Sequence, residues 1–171
     1  MKINNDTAAI LAMAIFLVGF ALGSWIGYNE GVQRTMEQLE ESLMEEDASG
    51  DTLSERDVLI LAIAKTESDF DFNARGGSND YGVFQLTPIF VKEANRIIGE
   101  EVYKHSDAFE PKKALEMVTI VQEYRNPTHD TATAIALHNP RGNAIGYADK
   151  VKGNMDWVKR YEEIRNLIKR Q

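Results

Sequence analysis

Glu67 closely follows an apolar run, Val58 to Ala64, and is itself followed by Ser68-Asp69-Phe70-Asp71-Phe72-Asn73-Ala74. A segment rich in Gly, Asn and Asp comes next, and then Asp80-Tyr81-Gly82-Val83-Phe84-Gln85. A packed helix would hold the Glu67 carboxyl at its end, facing a cleft walled by the irregular segment. Low-dielectric surroundings disfavour the charged form and raise a carboxyl pKa. A general acid working near neutral pH needs such a shift. The alternative for Glu67 is a solvated last-turn residue, and for Asp80 an acid that only orders its turn.

The elements that would position these groups can be read from the surrounding pattern. Thr52-Leu-Ser-Glu55 looks like a capping box, opening a helix over 54–68 that is apolar nearly all round and belongs deep in a core. Residues 69–82 lack helical period and predict turns with a small strand pair. Thr87-Pro88 reads as N-cap and first helical residue of a helix through Ile98. Pro111 starts another, with Ala114, Leu115, Val118 and Val121 inward, ending before Asn126-Pro127. Asp130 caps a short helix, Ala132 to Leu137, which Asn139-Pro-Arg-Gly142 breaks. Asp156 opens a last helix with Trp157, Tyr161, Ile164 and Ile168 on one face.

Composition narrows the chemistry. The 171 residues include no cysteine, which excludes disulfides, thiolate metal sites and thiol catalysis. Three histidines without an HExxH pattern argue against a metal site. The net charge of -8 is localised: Asn29 to Asp57 hold ten acids and two bases, whereas residues 58–171 hold sixteen of each. No clustered basic face points to nucleic acid.

Thr7 to Asn29 carries no charge, and Ala8 to Tyr28 is almost wholly apolar. About 20 such residues cross a bilayer as a helix. Trp25 and Tyr28 suit the interface, and Lys2 ahead of the run places the N-terminus in the cytoplasm. We expect a single-pass anchor over 1–29 in the cytoplasmic (inner) membrane, with the following domain on the periplasmic or extracytoplasmic side. A cleaved signal peptide is the competing reading, but the run is long for one and no clear A-x-A site follows. Gly19, Gly23, Gly27 and Gly31 form one helical seam, which fits either a homodimer or ordinary glycine tolerance in membrane helices. Val32, Met36, Leu39 and Leu43 then predict an amphipathic helix inside an acidic stalk, 30–51. Asp47-Ala-Ser-Gly-Asp51 is a flexible break, and the folded domain is expected over 52–171.

Four motifs in order carry a family resemblance. Glu67-Ser-Asp-Phe-Asp-Phe-Asn-Ala74 followed by Gly82-Val-Phe-Gln85 resembles the ES and GLMQ motifs of lytic transglycosylases of the soluble type. Ala136-Leu-His-Asn139 resembles their AYN motif, and Tyr147-Ala-Asp-Lys-Val151 their YxxxV motif. Asp107-Ala-Phe-Glu-Pro111 is similar to the family's segment before its next helix. Within this frame, Gly77 to Gln85 is similar to the segment of animal-type lysozymes that carries their second catalytic Asp. The resemblance implies a mainly α, lysozyme-like domain with a small irregular or β segment, a peptidoglycan glycan substrate, and no cofactor or metal.

It also implies roles. Glu67 would protonate the leaving glycosidic oxygen, then take the proton from the C6 hydroxyl of N-acetylmuramic acid as that oxygen closes a 1,6-anhydro ring. Asp80 could instead support charge or act as nucleophile in a hydrolase, such as a phage endolysin. Ser68 would orient Glu67, and Gly82 would allow close backbone approach. Gln85 and Asn139 would bind sugar amides and hydroxyls, and Tyr147 would meet Glu67 or substrate. His138 stands where the family usually has Tyr, with a hydrogen-bonding or stacking role. A non-catalytic glycan-binding subunit of an envelope assembly is the third reading. Tyr81, Phe84 and Phe90 read as core.

Overall fold

The computed structural model describes residues 27, 29–44, 52–139 and 144–169. The fold is mainly helical, as a lysozyme-like α domain requires, with no strand among the described residues. The predicted anchor over 1–29, with Gly19 and Gly23 of its seam, lies outside the described residues save for Gly27 and Asn29. Among the described residues no helix is long and apolar enough to cross a membrane.

Helix α1 covers 29–44 and α2 runs Glu55–Ser68. The α2 N-cap is Ser54, not Thr52. Its Oγ accepts from the Asp57 amide (3.2 Å), while the Asp57 carboxylate accepts from the Ser54 amide (2.9 Å). The box therefore sits two residues later than Thr52-Glu55 suggests, because Asp57 is the acid whose reach matches the first turn. Val58 to Ala64 are all buried, as an all-round apolar helix must be. Replacing Leu61, fully buried here, by Ala would cost about 2–5 kcal/mol.

Helix α2 stops where the site begins. Asp69 and Phe70 both take left-handed backbone (φ 54° and 63°), and the Asp69 amide donates to the Lys65 carbonyl at 3.0 Å. Left-handed backbone in a bulky residue is strained. Here Phe70 is held by burial and a 6.2 Å ring contact with Trp157.

The irregular segment contains two isolated bridges, Arg75–Tyr81 and Tyr81–Leu86, rather than a strand pair. Tyr81 anchors it by stacking on His105 (4.1 Å) and Phe109 (4.7 Å), with the Arg75 guanidinium over both the Tyr81 and Phe109 rings. Helix α3 (Pro88–Ile98) starts on a Thr87 cap. A 3-10 turn (His105–Phe109) precedes α4 (Pro111–Arg125), and Asp130 caps α5 (Thr131–His138). Ala114, Leu115, Val118 and Val121 face inward as expected.

Two expectations about the last helix fail for physical reasons. The last helix, α6, begins at Ala144 rather than Asp156 and runs to Lys169. Gly146, Gly153 and Asn154 lower its intrinsic propensity, but packing of Val151 and Val158 against the core overrides that. Ile164, expected inward, is 59% exposed. On α1, Met36, Leu39 and Leu43 of the amphipathic stripe are buried in the same core cluster as residues of α2 and α6. Arg165 of α6 pairs with Glu40 of α1, which is only 2% exposed. An apolar stripe beside an available core docks onto it rather than waiting for a second chain.

Candidate active site

Glu67 occupies the last turn of α2, half-buried, on the wall of an open cleft of about 940 Å³. Asp80, Gln85, His138, Asn139 and Tyr147 line the same cleft. Four segments far apart in sequence therefore meet there: the end of α2, the irregular segment, the end of α5 and the start of α6.

The Glu67 carboxyl receives a hydrogen bond from Tyr147 Oη at 2.5 Å on Oε1. Burial pushes its pKa above the ordinary carboxylate range; the Tyr147 bond opposes that, the nearby Asp80 charge adds to it, and Lys150 opposes it. The net shift is upward, toward a protonated acid. Burial and the Glu67 charge likewise raise the Tyr147 phenol, so it stays a donor.

Helix α6 grips the end of α2 at three points on one face. Besides Tyr147, Asn154 Nδ2 donates to Thr66 Oγ1 (2.8 Å), and Lys150 Nζ reaches the Thr66 carbonyl (3.4 Å). Thr66 Oγ1 in turn donates to the Ala62 carbonyl at 2.7 Å. Spacings of three and seven residues bring 147, 150 and 154 to one side of a helix. The sequence reading gave Thr66, Lys150 and Asn154 no role; for the two on α6, a helix start placed at Asp156 hides their periodicity.

Ser68 and Gly82 do not line the cleft but build its wall. Ser68 Oγ donates to the Val83 carbonyl at 2.9 Å, fastening the residue after Glu67 to the Gly-Val-Phe-Gln motif. Gly82 has φ 72°, and a Cβ there would fall 1.7 Å from the Ala108 carbonyl oxygen. Only glycine fits. Gln85 (φ 49°) folds its amide back to donate to the Gly82 carbonyl at 2.8 Å. Its Oε1 and the Asp80 Oδ2 both lie over Gly76, where a Cβ would come within 2.7 and 2.3 Å of them. Gly76 is thus a further site residue, hidden in the sequence as one glycine of a Gly-rich loop. Asp80 Oδ1 is shielded from solvent and has no hydrogen-bond partner among the described residues.

His138 is held edge-on by Phe84 (6.0 Å) and Phe90 (5.6 Å). Both ring nitrogens are buried without partners among the described residues, and burial lowers the imidazole pKa to about 4. Its ring packs against these two phenylalanines, as the stacking role requires. Phe84 is core, as expected, although it and Phe90 also contribute to the cleft wall. No group of His, Asp and Glu among the described residues could hold a metal ion.

A family model for the transglycosylase SLT domain matches residues 43–140, more than half of the chain. The chain belongs to this family. No curated protein and no solved structure matches it. The SLT match supports a peptidoglycan-degrading function of the lytic transglycosylase type. It begins inside α1, at Leu43, and ends before α6. The α6 residues at the cleft, Tyr147 of the YxxxV-like motif among them, lie beyond the matched stretch.

Proposed function

We propose that this SLT protein is a membrane-anchored lytic transglycosylase that cleaves the β-1,4 bond between N-acetylmuramic acid and N-acetylglucosamine. The observation that carries the reading is a half-buried Glu67 with a raised pKa, held by Tyr147 in an open cleft. Protonated Glu67 gives its proton to the glycosidic oxygen as the C1–O bond breaks and positive charge develops at C1. The carboxylate so formed takes the proton of the C6 hydroxyl, whose oxygen bonds to C1. Glu67 ends protonated, and the product carries a 1,6-anhydro ring with no water consumed.

The environment of Glu67 suits both halves of this cycle. Burial and Asp80 favour the acid before bond cleavage, while Tyr147 and Lys150 favour the carboxylate after it. Tyr147 can stay bonded to Oε1 throughout, leaving the other oxygen for the proton transfers.

A second reading has its own observation. Asp80 shares the cleft, raises the Glu67 pKa, and keeps Oδ1 free of hydrogen bonds among the described residues. A carboxylate so placed could stabilise the cation or attack C1, giving hydrolysis.

Mass spectrometry of muropeptides released from purified peptidoglycan by the full chain separates the two. Anhydro-muramic ends are expected; reducing ends heavier by one water would install the hydrolase in its place. The anchor over 1–29 is supported by its uncharged apolar run. The chain should stay with membranes through an alkaline carbonate wash, and its release would remove the anchor from the proposal.

A further inference from the structure

The cleft has a second wall, away from Glu67, whose charge a neutral sugar chain does not require. Ile89, Lys92, Glu93 and Arg96 lie three, four and seven residues along α3 and all line the cleft, and Arg125 joins them from the last turn of α4. Arg96 Nε donates to Glu93 Oε2 at 2.7 Å, and Arg125 Nε to Glu93 Oε1 at 2.8 Å. One carboxylate thus holds two guanidiniums, and both also sit near the Tyr124 ring, at 5.3 and 5.7 Å. Lys92 is exposed and has no ion-pair partner among the described residues.

A structural role explains part of this cluster. Glu93 with Arg125 ties α3 to α4, and such exposed pairs are worth little. That tie needs one arginine. The second arginine and Lys92 leave three cations against one acid on the cleft wall, in a chain of net charge -8. Each guanidinium gives its Nε and one Nη to Glu93, which fixes its plane and leaves the remaining Nη donors for a carboxylate.

This inference rests on the peptidoglycan substrate proposed above. N-acetylmuramic acid differs from N-acetylglucosamine by a lactyl ether at O3, which ends in a free carboxylate or continues into an acidic peptide. We propose that Lys92, Arg96 and Arg125 form a carboxylate-binding subsite for the arm at O3 of N-acetylmuramic acid. The cleft then distinguishes peptidoglycan from uncharged N-acetylglucosamine polymers by charge as well as by shape.

The test uses the full chain in detergent carrying Glu67→Gln, so that ligands survive. Three glycans of equal length are titrated: a chito-oligosaccharide, a denuded peptidoglycan fragment with free lactyl groups, and a peptide-bearing fragment. A carboxylated glycan should bind about tenfold tighter than the neutral one, as charge-assisted hydrogen bonds provide. The preference should shrink in about 0.5 M salt, where screening is short-ranged. Tight binding of the denuded fragment assigns the lactyl carboxylate; tight binding of the peptide-bearing fragment alone assigns a stem carboxylate. Arg125→Gln should reduce the preference and Arg125→Lys should retain part of it. Lys92→Gln should also reduce it, without touching the Glu93 network. Equal affinity for all three glycans, or a preference that ignores both Lys92→Gln and Arg125→Gln, overturns the subsite. Wild-type cleavage of peptidoglycan is measured alongside. Cleavage without a carboxylate preference sinks the subsite alone, whereas failure to bind or cleave any glycan sinks the proposed function with it.

Discussion

Tyr147, in the first turn of α6, donates a 2.5 Å hydrogen bond to Glu67, in the last turn of α2. Eighty residues separate them. The bond ties the proton donor of the proposed reaction to the helix that also packs along α2. It also opposes the burial that raises the Glu67 pKa, so one hydroxyl both orients the carboxyl and limits its basicity.

Glu67→Gln should lower glycan cleavage by about a hundredfold or more, the usual range for a lost general acid and base. Circular dichroism should show an unchanged fold. Cleavage at the wild-type rate would remove Glu67 from the chemistry.

The same substitution carries a stability signature. The folded pKa of Glu67 lies above its unfolded value, so the folded state binds the proton more tightly. Stability contributed by that proton is fully present below the unfolded pKa and is lost as pH rises through the folded one. Glu67→Gln, which never ionises, should therefore melt higher than wild type at neutral pH. The gap should close as pH falls from the raised folded pKa to the ordinary carboxylate value. Parallel melting curves at every pH would contradict the burial assigned to Glu67.

Tyr147→Phe removes the donor and leaves burial in place. The Glu67 pKa should rise further, which favours the acid step and weakens the base step. We expect kcat to fall about tenfold or more with a smaller change in KM, and the pH profile to shift toward alkaline values. A profile that falls in height without shifting would make Tyr147 a packing residue only.

Gly82→Ala should destabilise the domain by at least about 2 kcal/mol, because it adds strain at a positive φ and a clash with a backbone carbonyl. Thermal melting checks this. Gly77→Ala, where a Cβ meets nothing within 4 Å, is the control in the same loop.

The α1 docking is tested on its ion pair. Arg165→Met removes the guanidinium from the buried Glu40 carboxylate and should lower the melting temperature, while Glu40→Leu with Arg165→Met together should recover most of the loss. A chain beginning at residue 52 should melt below the full chain, since Met36, Leu39 and Leu43 would be missing from the core. Equal melting temperatures would restore the free stalk.

Much of this protein is legible in its sequence because the signals are local. Caps and breakers act within a turn, so Thr87-Pro88, Pro111, Asp130 and Asn126-Pro127 mark helix ends that the structure keeps. The apolar run of α2 announces its own burial, and the order of the motifs announces the family. The acid at the end of that run was visible for the same reason.

What tertiary structure alone decided concerns groups whose partners lie far away in the chain. Weak propensity at Gly146, Gly153 and Asn154 conceals the start of α6, and only packing against α2 brings Tyr147, Lys150 and Asn154 onto Thr66 and Glu67. The stripe on α1 reads the same in sequence whether it meets another chain or its own core; the structure buries Met36, Leu39 and Leu43 in this chain's core, with Glu40 against Arg165. The edge-on contacts of His138 with Phe84 and Phe90 likewise come from segments far apart in the chain. Periodicity specifies which face of a helix seeks contact, whereas the identity of the contact is set by the whole chain closing around one core.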